Sequence, residues 1–132
     1  MDPLEELMAE YDNDLTFIFK KDMPGNLHGL LMDRRIYINA NLPFQESVQV
    51  LAEEIGHHET LSAGDISDYK NNPKLEAKGR RWGYSKLIPK DKLIDLVKHR
   101  ERLSVYEIAE EFDVSNSYVE EAVNMYRLKG EI

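Results

Sequence analysis

Glu53, Glu54 and His57 are the residues of this sequence whose types and spacing could do hydrolytic chemistry. Residues four apart on an α-helix are separated by about 40° around its axis, so the side chains of Glu53 and His57 would converge on one point. Glu54, offset by one residue, could reach a water held at that point but is badly placed to bind the same ion. This is the geometry of the His-Glu-x-x-His zinc helix, in which the outer positions bind metal and the second is the general base. Here Glu53 stands at the first position, and a carboxylate is a legitimate zinc ligand at about 2.0–2.2 Å. His58 is a further donor, but it points about 100° away from His57, so Glu53 is preferred. The spacing alone is a weak signal, because Glu-Glu and His-His pairs often form nothing more than a wet helix face. Gly56 adds to it. A mid-helix glycine costs about 1 kcal/mol relative to alanine, so the position needs a small residue, either for a strand or substrate passing beside the site or for tight helix packing.

A catalytic zinc site takes three protein donors and keeps one position open. The chain has no cysteine, so His, Asp and Glu must supply them. Glu76, at the start of a second helical segment, is the candidate for the third. Its plain alternative is a first-turn glutamate that compensates the helix dipole.

The elements around these residues follow from periodicity. Pro43 suits a first helical turn. Val48, Leu51, Ala52 and Ile55 then form one buried stripe, which predicts a helix ending near His58 or Glu59. Upstream, Leu4, Leu7, Met8 and Tyr11 predict a helix over 3–12, and Leu15-Thr16-Phe17-Ile18-Phe19 suits a strand. Met23-Pro24-Gly25-Asn26 is a turn. Leu27 to Met32 and Arg35 to Asn39 form a hairpin across Asp33-Arg34, although that pair is not an ideal tight turn. Residues 60–73 have loop composition. A second helix runs from about Lys74 to Leu87 and ends before Pro89. Further helices follow, including Val105–Phe112 and Asn116–Leu128.

With 132 residues, 42% hydrophobic and 32% charged, the chain is expected to form a single domain. No apolar run approaches the roughly 20 residues of a membrane span. The acidic, amphipathic start lacks the basic and apolar stretches of a secretion signal, so a cytoplasmic location is expected. The 17 basic and 25 acidic side chains give a net charge of −8, which argues against nucleic acid as a partner. Lys78, Arg80, Arg81 and Lys86, and again Lys98, Arg100 and Arg102, read as solvated helix faces. The last two helices, capped by Ser104 and Ser115, have a helix-turn-helix pattern. The second begins Asn116-Ser117-Tyr118-Val119-Glu120-Glu121, where a DNA reader would present polar and basic residues. Residues 90–132 hold seven Lys or Arg against ten Asp or Glu. Packing against the core or holding a protein partner is therefore preferred over DNA binding.

Three segments together resemble the ImmA/IrrE family of metallopeptidases, in the short form common in phages and other mobile elements. They are the hairpin Gly29-Leu30-Leu31-Met32 with Ile36-Tyr37-Ile38-Asn39, the helix Val50-Leu51-Ala52-Glu53-Glu54-Ile55-Gly56-His57-His58, and the stretch from Glu76 through Trp82 to Leu87-Ile88-Pro89. In the family that stretch begins with a metal-binding glutamate and ends in a Leu-hydrophobic-Pro signature thirteen residues later, the separation of Glu76 and Pro89 here. The resemblance implies that Glu54 is the general base toward water, and that His57, Glu76 and Glu53 hold zinc, with Glu53 where the family's usual motif has histidine. Two carboxylates would offset the charge of Zn²⁺, weaken its acidification of water, and admit Mn²⁺ or Mg²⁺ more readily. The resemblance further implies a repressor-type regulatory protein as substrate. A relative that keeps the fold and acts only by binding is the alternative that Glu53 leaves open, and a helix-turn-helix DNA-binding regulator is the third reading. The expected architecture is α+β: a small antiparallel sheet packed on a zincin-like helix within a core over 1–89, followed by a helical region over 90–132.

Overall fold

The stripe of Val48, Leu51, Ala52 and Ile55, each 0 or 1% exposed, is the line along which the first half of the chain assembles. It lies on α2 (Phe44–Thr60) in a computed structural model that describes residues 1–61 and 69–132. The preceding elements are α1 (Pro3–Tyr11), β1 (Thr16–Lys20), β2 (Gly29–Met32) and β3 (Arg35–Asn39). After α2 come α3 (Pro73–Leu87), α4 (Lys90–His99), α5 (Val105–Phe112) and α6 (Asn116–Leu128). Of the loop expected over 60–73, Thr60 belongs to α2, Tyr69–Asn71 forms a 3₁₀ turn and Pro73 opens α3. The remainder of that loop, 62–68, lies outside the described residues.

The sheet is mixed, which corrects the antiparallel sheet expected from the sequence. Its order is β1-β3-β2, with β2 antiparallel and β1 parallel to β3. The reason is which strand takes the centre. Successive strands reverse direction, so the first and third run the same way, and they become neighbours because β3 sits in the middle. Ile36 and Ile38 of β3 have no exposed surface, and the central place buries that strand best. The hairpin itself has the expected register, Met32 opposite Arg35, with Asp33 taking the left-handed conformation at φ 55° that the two-residue turn requires.

Gly29 explains how closely β2 crosses α2. A Cβ there would lie 2.6 Å from Val50 Cγ1 and 3.0 Å from Glu54 Cγ. The same device brings α3 onto α2. A Cβ on Gly56 would be 2.6 Å from the carbonyl oxygen of Gly79, so of the two reasons for a glycine at 56, helix packing is the one realised. Asn72 caps α3 by accepting from Lys74 N and Leu75 N, and Pro73 occupies its first turn.

The C-terminal helices form a second apolar cluster around Leu93, Ile108, Val114, Val119, Ala122 and Met125. Tyr84 and Ile88 of α3 belong to that cluster, and Leu87 packs against both. Ser104 and Glu107 form a capping box on α5, Asp113 closes it in the left-handed region, and Ser115 caps α6. Polar contacts fix the docking: Ser115 N donates to Gln49 Oε1 of α2 at 2.8 Å, and Tyr126 Oη donates to the Ile88 carbonyl at 2.6 Å. Among the described residues no helix is long and apolar enough to cross a membrane.

Candidate metal centre

His57 enters the interior from the last turn of α2, fully buried, with its ring centroid 4.4 Å from that of Tyr69. Gly79 makes the room for it: a Cβ at 79 would stand 2.6 Å from His57 Nδ1 and 2.7 Å from Nε2. His57 Nε2 comes within 3.1 Å of Glu76 Oε1. Yet both ring nitrogens and Glu76 Oε1 are buried without a hydrogen-bond partner among the described residues, so the close pass is not aligned for hydrogen bonding. Buried polar atoms are normally satisfied. A divalent cation would engage one His57 ring nitrogen and Glu76 Oε1 together, which fits two of these three atoms.

Glu53 completes the set. Glu53, His57 and Glu76 offer ligand atoms that all lie within 4.8 Å of one another. Donors 2.0–2.2 Å from a shared ion in tetrahedral geometry are roughly 3.4 Å apart, so a side-chain rotation of Glu53 or Glu76 closes the shell. One imidazole and two carboxylates would leave a fourth position open. The residues therefore fit a divalent cation. His58 is half-buried and lies outside this group. Glu76 stands in the first turn of α3 and belongs to this group.

Glu54 is fully buried, and each of its oxygens is engaged. Tyr69 Oη donates to Oε1 at 2.7 Å and Lys70 Nζ to Oε2 at 2.7 Å. The Tyr69 hydroxyl in turn accepts from Leu31 N of β2 at 2.6 Å, so the carboxylate is tied to the sheet through one side chain. Lys70 Nζ also stands 3.9 Å from Glu76 Oε1, and Arg80 lies 3.7 Å from Glu53 and 4.0 Å from Glu76. Two cations thus offset three carboxylates. A cavity of about 290 Å³ opens beside the cluster, lined among others by Gly29, Glu53, Lys70, Arg80 and Tyr118. A larger one of about 860 Å³ lies among α4, α5 and α6 and shares none of these residues.

The carboxylates do not titrate alike. Burial, with Glu54 and Glu76 nearby, pushes Glu53 up to about 7 against the pull of Lys70 and His57. For Glu76, burial opposes ionisation, but the His57 contact and the charges of Lys70 and Arg80 outweigh it and hold the carboxyl below its usual value. Between pH 4.5 and about 7 the folded protein therefore holds a proton on Glu53 that the unfolded chain has released. Stability from this group is present in acid and falls as pH rises through that window, by on the order of 3 kcal/mol in metal-free protein. Urea midpoints measured in EDTA across the window should decline less steeply for Glu53→Gln than for the wild type. Equal slopes would remove Glu53 as the cause.

Sequence reasoning missed Tyr69 and Lys70, which no periodicity links to Glu54. It also missed Gly79 and Gly83, though two glycines four apart in one helix were a readable sign of close packing.

A carboxylate-imidazole-carboxylate cluster across two glycine-packed helices, beside a small sheet and a buried third carboxylate, suits a scaffold of the metallopeptidase type. The family model described as the IrrE N-terminal-like domain, of the M78 peptidases, matches residues 12–124. The chain belongs to that family, the ImmA/IrrE family, and the match runs from the approach to β1 into α6. No curated protein matches the chain in sequence.

Proposed function

We propose that this protein is a metal-dependent endopeptidase, with zinc as the preferred ion, that acts on a cytoplasmic repressor-type regulatory protein of a phage or other mobile element. The observation that carries the reading is the convergence of Glu53, His57 and Glu76 within 4.8 Å, together with the orphaned buried atoms of His57 and Glu76. In this reading those three residues hold the ion. A divalent cation there supplies Lewis acidity toward a peptide carbonyl and toward water. Glu54, one position along the helix from Glu53, accepts the proton from the attacking water. Tyr69 and Lys70 fix the orientation of its carboxylate. The cavity beside Glu53 and Lys70 gives a peptide access to the site. The regulatory substrate is inferred from the family resemblance.

A second reading, binding of a regulator without cleavage, is favoured by one specific feature. Both Glu54 oxygens are already held, one of them by an ammonium group, and a base so engaged is weakened. Elemental analysis of protein dialysed against metal-free buffer tests the first reading directly. About one equivalent of zinc, or of manganese, is the expected result. A metal-free protein that still binds a repressor-type partner would establish the second reading instead.

A further inference from the structure

The hydroxyl of Tyr118 has no hydrogen-bond partner among the described residues, although the residue is only 7% exposed and Oη is buried. Phenylalanine would fill the same space without burying an unsatisfied group, which is costly in a protein interior. The place of this hydroxyl is specific. A Cβ on Gly83 would lie 2.8 Å from Tyr118 Oη and 3.5 Å from Glu53 N, so α6 places the oxygen at the α2–α3 crossing, close to the Glu53 backbone. Tyr118 and Glu53 line the same cavity. The neighbouring polar groups are otherwise occupied: Tyr84 Oη donates to Glu121, and its ring meets that of Tyr118 edge-on at 5.0 Å. Burial, followed by the nearby Tyr84, Glu53 and Glu121, pushes the Tyr118 hydroxyl well above its ordinary value, so it remains a donor.

We propose that Tyr118 is a positioning residue for the metal centre, its hydroxyl donating to the Glu53 carboxylate once that carboxylate turns to bind the ion. Metal-ligating carboxylates are themselves hydrogen-bonded, and loss of such a partner typically costs 10–100-fold in metal affinity. The inference rests on the metal reading above and extends it: the helix-turn-helix-like pair supplies a functional group to the site through the first turn of α6. The carboxylate is also the natural receiver on chemical grounds, since a metal-ligating carboxylate keeps lone pairs free for a donor. Nothing else in the described cluster donates to Glu53 at hydrogen-bond distance; Arg80 stands off at 3.7 Å.

The test uses the full chain stripped with EDTA and titrated with zinc against a chromogenic chelator, alongside thermal unfolding of the metal-free form. For Tyr118→Phe, zinc affinity should fall at least about tenfold while the metal-free midpoint holds or rises by a few degrees, because an unpaired hydroxyl has been removed. Glu121→Gln should leave zinc affinity unchanged. A purely structural tyrosine would give the opposite pair of results for Tyr118→Phe, a lower midpoint and unaltered affinity, and either one overturns the inference. Wild-type protein that binds no zinc overturns this inference and the metal reading together; zinc bound equally by wild type and Tyr118→Phe overturns this one alone.

Discussion

Replacing His57 with alanine should lower zinc affinity by at least about a hundredfold, the loss of a direct ligand exceeding the 10–100-fold typical of outer-shell partners. Imidazole is the one nitrogen donor in the cluster, and without it Glu53 and Glu76 form a carboxylate pair already facing Arg80 and Lys70. Such a pair has little preference for zinc over weaker-binding hard cations. The measurement is a competition titration, supported by thermal unfolding. Zinc at a hundred times its dissociation constant stabilises a folded protein by about 2.7 kcal/mol, and that gain should vanish in the variant. Alanine also empties a fully buried ring site against Tyr69 and Gly79, which costs stability of its own. His57→Gln, which refills part of the volume, separates the two effects. If both variants kept wild-type zinc affinity, the cluster would not be the metal site.

Glu54→Gln should abolish cleavage, by about 10²–10⁴-fold for loss of a general base, while zinc binding is retained. The amide still accepts from Tyr69, so the link to Leu31 of β2 survives. Lys70 loses its strongest partner but is 22% exposed and lies 3.9 Å from Glu76, so it can turn toward water or toward that carboxylate. Glu54→Ala is the harsher change, because breaking a buried ion pair from one side costs about 3–5 kcal/mol. The glutamine variant is therefore the informative one. Cleavage of a repressor-type substrate at an undiminished rate would remove Glu54 from the reaction. Partner binding that survives in Glu54→Gln, with no cleavage even by wild type, would make the protein a binder on a peptidase scaffold.

Much of this arrangement was legible in the order of residues. The period of Val48, Leu51, Ala52 and Ile55 determined α2 and its buried face, since a helix of that pattern can hide its apolar stripe in only one way. Once the helix existed, backbone geometry alone placed Glu53 and His57 one turn apart on a common side. Pro43, Ser104 and Ser115 marked the starts of helices through the backbone groups they cap or lack, whereas Asn72 and Pro73, read as loop, proved to be the cap and first turn of α3. The hairpin, the helix with Glu53, Glu54 and His57, and the separation of Glu76 and Pro89 together carried the resemblance to the family that the chain belongs to.

Other features depended on residues far apart in the chain. Strand order was one, because local alternation does not say whether β2 or β3 is covered on both sides. The meaning of Gly56 was another: a small residue was called for, but only the carbonyl of Gly79 facing it showed why. The environment of Glu54 was a third. Its partners, Tyr69 and Lys70, come from beyond the end of α2, and nothing local in the sequence directs them back to it. The sequence determined which groups could act and on which helical face they stand, because both follow from bonds and dihedrals of neighbouring residues. Whether those groups meet, and what neutralises them, only the packing of α2, α3, α6 and the sheet decided, because charges and cavities depend on distances through space.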